Sequence, residues 1–167
     1  MQPFEPESLP PRNLDLPGLV PLIGKANRGV AMLEGLFHGI PNPDVLLSPL
    51  TTEEAVLSSR IEGTQADFGD VLKFEAGEEP AEPGRREEIV EIINYRRALR
   101  LAEELLRERP FCLNTLLKLH EVLMDSVRGH NKGRGRFRTV QNWIGPEGAP
   151  IEAAVFIPPS PLHLQEH

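Results

Sequence analysis

The sequence predicts a mainly α-helical fold: five or six helices in a bundle, with one β-hairpin near the C-terminus. Three observations carry this. Apolar residues recur at three- and four-residue steps through most of residues 18–127. Clusters of Pro, Gly and Asn divide that stretch into helix-length pieces. Only 139–145 and 151–157 read differently, rich in Val, Ile, Trp and Phe on either side of Pro146-Glu147-Gly148-Ala149-Pro150, as a hairpin with a loose tip would be.

Taken in order, residues 1–17 hold five prolines, which fix φ and remove amide donors. They form either a free tail or a strap over the domain, and Leu14 and Leu16 favour partial docking. A helix is expected from Gly18, with Leu19, Leu22, Ile23, Ala26, Val30, Leu33 and Phe37 as its inner face. It stops at Gly39-Ile40-Pro41-Asn42-Pro43. A short apolar segment, Val45-Leu46-Leu47, then leads to a helix over about 51–63. Thr51 or Thr52 is its expected N-cap, and Gly63 its left-handed C-terminal residue. A short helix covers Phe68 to Phe74, and a solvated loop covers 75–84. The longest helix runs from Arg86 to Arg109, with Ile89, Ile92, Ile93, Leu99, Ala102 and Leu106 as its stripe. Asn114 caps a helix over 115–127 whose inner residues are Leu116, Leu119, Leu123 and Val127. Trp143 is the expected buried anchor of the hairpin, and Pro158-Pro159-Ser160-Pro161 blocks any further strand.

Composition bounds the function. The 167 residues suit one ordinary domain. With 18 Lys and Arg against 25 Asp and Glu the net charge is −7, which argues against bulk binding to nucleic acid or an anionic membrane. One cysteine, Cys112, forms no internal disulfide, and no Cys/His spacing suits zinc. The acidic, Pro-rich start is not a signal peptide, and no apolar run approaches the ~18 residues of a membrane span. A cytoplasmic protein is the default expectation.

Two segments stand out for chemistry. In Ser58-Ser59-Arg60-Ile61-Glu62-Gly63-Thr64-Gln65, Ser58 and Glu62 lie four apart on one helix face. The helix dipole disfavours an acid in a last turn, so Glu62 is either a plain exposed residue beside a C-cap or a carboxylate offered to an arginine or ligand from another segment. The second segment is basic: Arg128, His130, Lys132, Arg134, Arg136 and Arg138. It reads as a solvated or internally paired loop before it reads as an anion or nucleic-acid contact, because only Phe137 interleaves the charges. His120, between Leu119 and Leu123, reads as a satisfied boundary histidine.

The stretch Ser58-x-x-x-Glu62-Gly63 resembles the inhibitory-helix motif of the Fic family, in the type whose inhibitory helix precedes the Fic core. Further matches follow in the family's order. Glu91-Ile92-Ile93-Asn94-Tyr95-Arg96-Arg97-Ala98-Leu99 resembles its second long helix. Leu119-His120-Glu121-Val122-Leu123-Met124 resembles the helix that opens the Fic core. Residues 135–145 and Phe156-Ile157-Pro158-Pro159 resemble the two ends of the β-hairpin flap.

The resemblance implies a division into a Pro-rich segment (1–17), a Fic N-terminal helical region (18–110) and the start of a Fic core (111–167) with the flap at about 139–158. The family transfers AMP from ATP to a target-protein hydroxyl. Its catalytic loop reads His-x-Phe-x-(Asp/Glu)-Gly-Asn-(Gly/Lys)-Arg-x-x-Arg, in which the His is the general base, the acid holds Mg²⁺ and the last Arg grips the γ-phosphate. None of His38, His120, His130, His163 or His167 begins that motif, so no catalytic base or metal ligand is assigned in this chain. ATP and Mg²⁺ are expected of a complete member. The resemblance gives Ser58, Glu62 and Gly63 to the inhibitory motif, and Thr139, Val140, Gln141, Asn142, Trp143, Ile144, Phe156 and Ile157 to a flap that pairs with a segment of the target protein. The sequence looks interrupted before the catalytic helix. The expected partners are therefore a catalytic Fic half, in cis or in trans, or a second copy through an apolar face around Leu116, Leu119 and Leu123. The alternatives are a free-standing regulator acting in trans and an anion- or nucleic-acid-binding module using 128–138.

Overall fold

Five α-helices and two single 3-10 turns make up the regular structure of the computed structural model, which describes residues 2–125 and 133–164. The chain divides into two compact units, one of Asp44–Phe137 and one of Met1–Pro43 with Arg138–His167.

The first unit holds the core. Helix α2 covers Pro43–Ile61, α3 Phe68–Glu75, α4 Arg85–Glu108 and α5 Leu113–Leu123. Ala55 and Val56 of α2, Ala66, Val71 of α3, and Ile89 and Ile92 of α4 form one buried cluster, with Phe68, Phe74, Ile93 and Tyr95 packed against it. Helix α4 supplies the expected Ile89 and Ile92, spaced so that one stripe faces inward. Asn94 is fully buried on the same helix. Its amide donates to the carbonyl of Asp125, just past α5, and its oxygen accepts from Arg97 at 3.1 Å. A buried amide is tolerated here because both its ends are bonded.

Two helix starts differ from expectation. Helix α2 is continuous from Pro43, instead of a loose segment at 45–47 followed by a helix capped at Thr51 or Thr52. Pro43 stands at the first helical position, where its missing N–H costs nothing. Both threonine hydroxyls donate backward, Thr51 to the Leu47 carbonyl and Thr52 to the Ser48 carbonyl, each at 3.1 Å. In α5 the cap position is Cys112 and not Asn114, which lies within the first turn. Thr115 is the buried residue of α5, whereas Leu116 and Leu123 are exposed and Leu119 is half-buried. The expected inner residue Val127 lies outside the described residues.

In the second unit the Pro-rich segment is exposed nearly throughout and is held at Phe4. The Phe4 amide donates to the Ile157 carbonyl at 2.8 Å, and its ring lies 5.9 Å from that of Phe156. Leu14 and Leu16 stay exposed. Helix α1, Leu16–His38, starts two residues earlier than expected because Asp15 caps it, accepting from Gly18 N–H at 3.1 Å. None of its residues is buried. Leu19 and Phe37 are half-covered, while Leu22, Ile23, Val30 and Leu33 of the expected inner face are exposed.

The expected β-hairpin does not form among the described residues. A single antiparallel bridge, Ile144 to Phe156, is all that pairs, with Ile144 N–H on the Phe156 carbonyl at 2.8 Å. Residues Ile151–Ala153 form a 3-10 turn in place of a strand. The physical reason lies in donors. Pro146 and Pro150 supply none on one side, and Pro158 and Pro159 none on the other, so a ladder cannot continue. Side chains take the carbonyls instead: Arg138 donates to Pro159, and Gln141 to Pro158 at 3.0 Å. Trp143 is 41% exposed rather than a buried anchor, and its ring N–H donates to the Ala149 carbonyl.

Candidate functional site

The end of α2 is built by a complete Schellman motif. Gly63 takes φ +96°, a left-handed conformation that favours glycine. This lets the Gly63 N–H reach the Arg60 carbonyl at 3.0 Å and the Thr64 N–H reach the Ser59 carbonyl at 3.2 Å. Thr64 and Ser59 are buried beneath the turn. Glu62 sits between them with its side chain exposed, and it makes no side-chain hydrogen bond or ion pair among the described residues.

Ser58 is placed from two directions. Its hydroxyl donates to Glu54 Oε1 at 2.9 Å, one turn earlier, and accepts from Tyr95 OH of α4 at 3.3 Å. Beyond the turn, Glu88 of α4 accepts the N–H groups of Gln65 at 3.1 Å and Ala66 at 2.9 Å on one oxygen, Oε2. Arg85 donates to the same oxygen at 3.1 Å. Asp67 and Asp70 then form a capping box that starts α3.

Arg85 also binds Glu82, which raises its pKa above the ordinary value, with the charges of Glu88 and Asp70 adding to the effect. It lines a cleft of about 270 Å³ with Asp70, Lys73, Glu78, Glu79 and Glu82. Acidic side chains already surround this guanidinium, so the cleft is not an anion site. Among the described residues no group of three His, Cys, Asp or Glu side chains is placed to hold a metal ion.

The other singled-out residues fall elsewhere. Thr139, Val140, Asn142, Trp143, Ile144 and Phe156 are exposed, Gln141 is half-buried and Ile157 is buried, all in the second unit. In the basic segment, Arg134 pairs with Asp125 at 2.8 Å and donates to the Glu121 carbonyl, and Arg138 is taken by Pro159. Arg128, His130 and Lys132 lie outside the described residues. His120 is half-buried, and its Nδ1 accepts the Gly135 N–H at 3.0 Å, as a satisfied boundary histidine does.

The family model for the Fic/DOC family N-terminal region matches residues 20–104, just over half of the chain. The chain belongs to the Fic/DOC family. A search of curated proteins found no match. The Fic N-terminal match spans all of α2, α3 and the Schellman turn, and nearly all of α1 and α4. The sequence singles out Ser58, Glu62 and Gly63 but not Tyr95 or Glu88, which bond to this segment from α4. Tyr95 lies in the segment that resembles the family's second long helix. No local pattern pairs it with a serine 37 positions away.

Proposed function

We propose that this chain is the N-terminal regulatory part of a Fic-family protein AMP-transferase, and that Glu62 is its inhibitory carboxylate. The observation that supports this reading most directly is the geometry around Glu62. A left-handed glycine follows the acid, the backbone on both sides is fixed, and the carboxylate is exposed with no internal partner among the described residues. A carboxylate in a last helical turn gains from a cation supplied from outside its own helix. In the family that cation is the arginine that grips the γ-phosphate of ATP. Glu62 would occupy it in competition with nucleotide, with ATP and Mg²⁺ held by the catalytic loop that this sequence does not carry.

The test is a label-transfer assay with a Fic catalytic region that carries the family loop, mixed with or joined to the 167-residue chain. AMP transfer from ATP falls when the chain is present, and Glu62→Gly restores it. Transfer that is indifferent to the wild-type chain overturns the reading. The chain alone transfers no AMP, since no histidine in it begins the catalytic motif.

A further inference from the structure

The segment that carries Glu62 is tied to α4 at both ends. Tyr95 OH meets Ser58 Oγ on one side, and Glu88 Oε2 takes the Gln65 and Ala66 amides on the other. Glu88 and Tyr95 are seven residues apart, two turns along one face of α4, and Ser58 and Gln65 are also seven apart. The Schellman turn removes slack between the two ties. Glu88 is well placed for its task. It stands in the opening turns of α4, where the dipole favours an anion, and its side chain is only 18% exposed, so its bonds compete little with water. Ala66 is fully buried, so without Glu88 its N–H has neither this acceptor nor ready access to solvent.

We propose that Glu88 and Tyr95 are the positioning residues of the Ser58–Glu62 motif: α4 fixes where the Glu62 carboxylate stands, and loosening either tie weakens whatever Glu62 restrains. The second half of this statement rests on the inhibitory reading of Glu62. The first half stands on geometry alone.

Amide hydrogen exchange on the full 167-residue chain tests the first half. Glu88→Gln keeps the shape and weakens the acceptor, so protection at Gln65 and Ala66 falls about tenfold while Ile92 and Ile93 in α4 keep theirs. Tyr95→Phe speeds exchange at Glu62 and Gly63 several-fold. Unchanged exchange over 62–66 in both variants overturns the proposal. So does a loss spread equally over α4, which would give the two residues a merely structural role. The label-transfer assay tests the second half. If Glu62→Gly relieves inhibition and neither Glu88→Gln nor Tyr95→Phe does, the positioning role fails and the inhibitory reading stands. If the wild-type chain does not inhibit, the inhibitory reading fails and takes the regulatory half with it, and the exchange result alone decides the positioning half.

Discussion

Arg96 of α4 donates to the hydroxyl of Thr52 in the middle of α2 at 3.0 Å, and the same guanidinium forms an ion pair with Glu75 at the end of α3. One side chain thus joins three helices around the core cluster. Thr52 is 3% exposed and the Arg96 side chain 11%, so water replaces these bonds poorly. Arg96→Met should destabilise the fold by about 2–3 kcal/mol, and Thr52→Val by about 1 kcal/mol. Urea unfolding gives both numbers. A change below about 0.5 kcal/mol for Arg96→Met would place this tie among ordinary surface pairs.

Gly63 bears on the motif through its backbone alone. A methyl group added there meets no atom within 4 Å, so the cost of Gly63→Ala is purely that of φ +96°. That cost is about 1–2 kcal/mol, and Gly63→Asn, which visits the left-handed region more readily, should lose less. The ranking Gly, Asn, Ala in thermal midpoint checks it. Equal midpoints for all three would mean that the turn relaxes out of the left-handed region.

The parts of this molecule legible in sequence were those governed by local chemistry. Gly63 as a left-handed cap, the ends of α4 and the start of α3 follow from residues a few positions apart. The hairpin expectation fails because Val, Ile, Trp and Phe flank a turn there, while the prolines at 146, 150, 158 and 159 withhold the donors a ladder needs. The start of α2 differs from expectation because Pro49 and Thr51 look like a boundary, yet both are accommodated inside a helix. The candidate site divides the same way. Ser58, Glu62 and Gly63 form a local pattern, whereas their ties to Tyr95 and Glu88 depend on tertiary packing that no spacing encodes.

Helix α1 separates periodicity from burial. Its apolar residues also recur at helical spacing, yet Leu33 is 54% exposed, whereas Ile92 of α4 is fully buried. Ile92→Ala should cost about 2–4 kcal/mol through lost burial and the cavity left behind. Leu33→Ala should stay within about 0.5 kcal/mol. Denaturant unfolding of the two variants at several protein concentrations makes the comparison. A loss above about 1 kcal/mol for Leu33→Ala, growing with concentration, would show that the α1 stripe is covered by a second copy of the chain in solution.

Cys112 offers a chemical readout of α5. The thiol is exposed at the cap position of the helix, and its Sγ lies 3.4 Å from the buried Thr115 hydroxyl. That hydrogen bond is the largest influence holding its pKa below the ordinary thiol value, and the backbone N–H groups of Thr115 and Asn114 and the charge of Arg109 act in the same direction. A lowered pKa raises the thiolate fraction near neutral pH, and the thiolate is the form that reacts with an alkylating reagent. Cys112 should therefore alkylate faster near pH 7.5 than an unperturbed cysteine in a short peptide. Thr115→Val preserves shape and removes the hydroxyl, so its pH–rate profile should move to higher pH and its rate at pH 7.5 should fall. Because Cys112 is the one cysteine of the chain, the alkylation rate reports this site alone. A pH–rate profile unmoved by Thr115→Val would assign the lowered pKa to the helix N-terminus and Arg109 rather than to the hydroxyl.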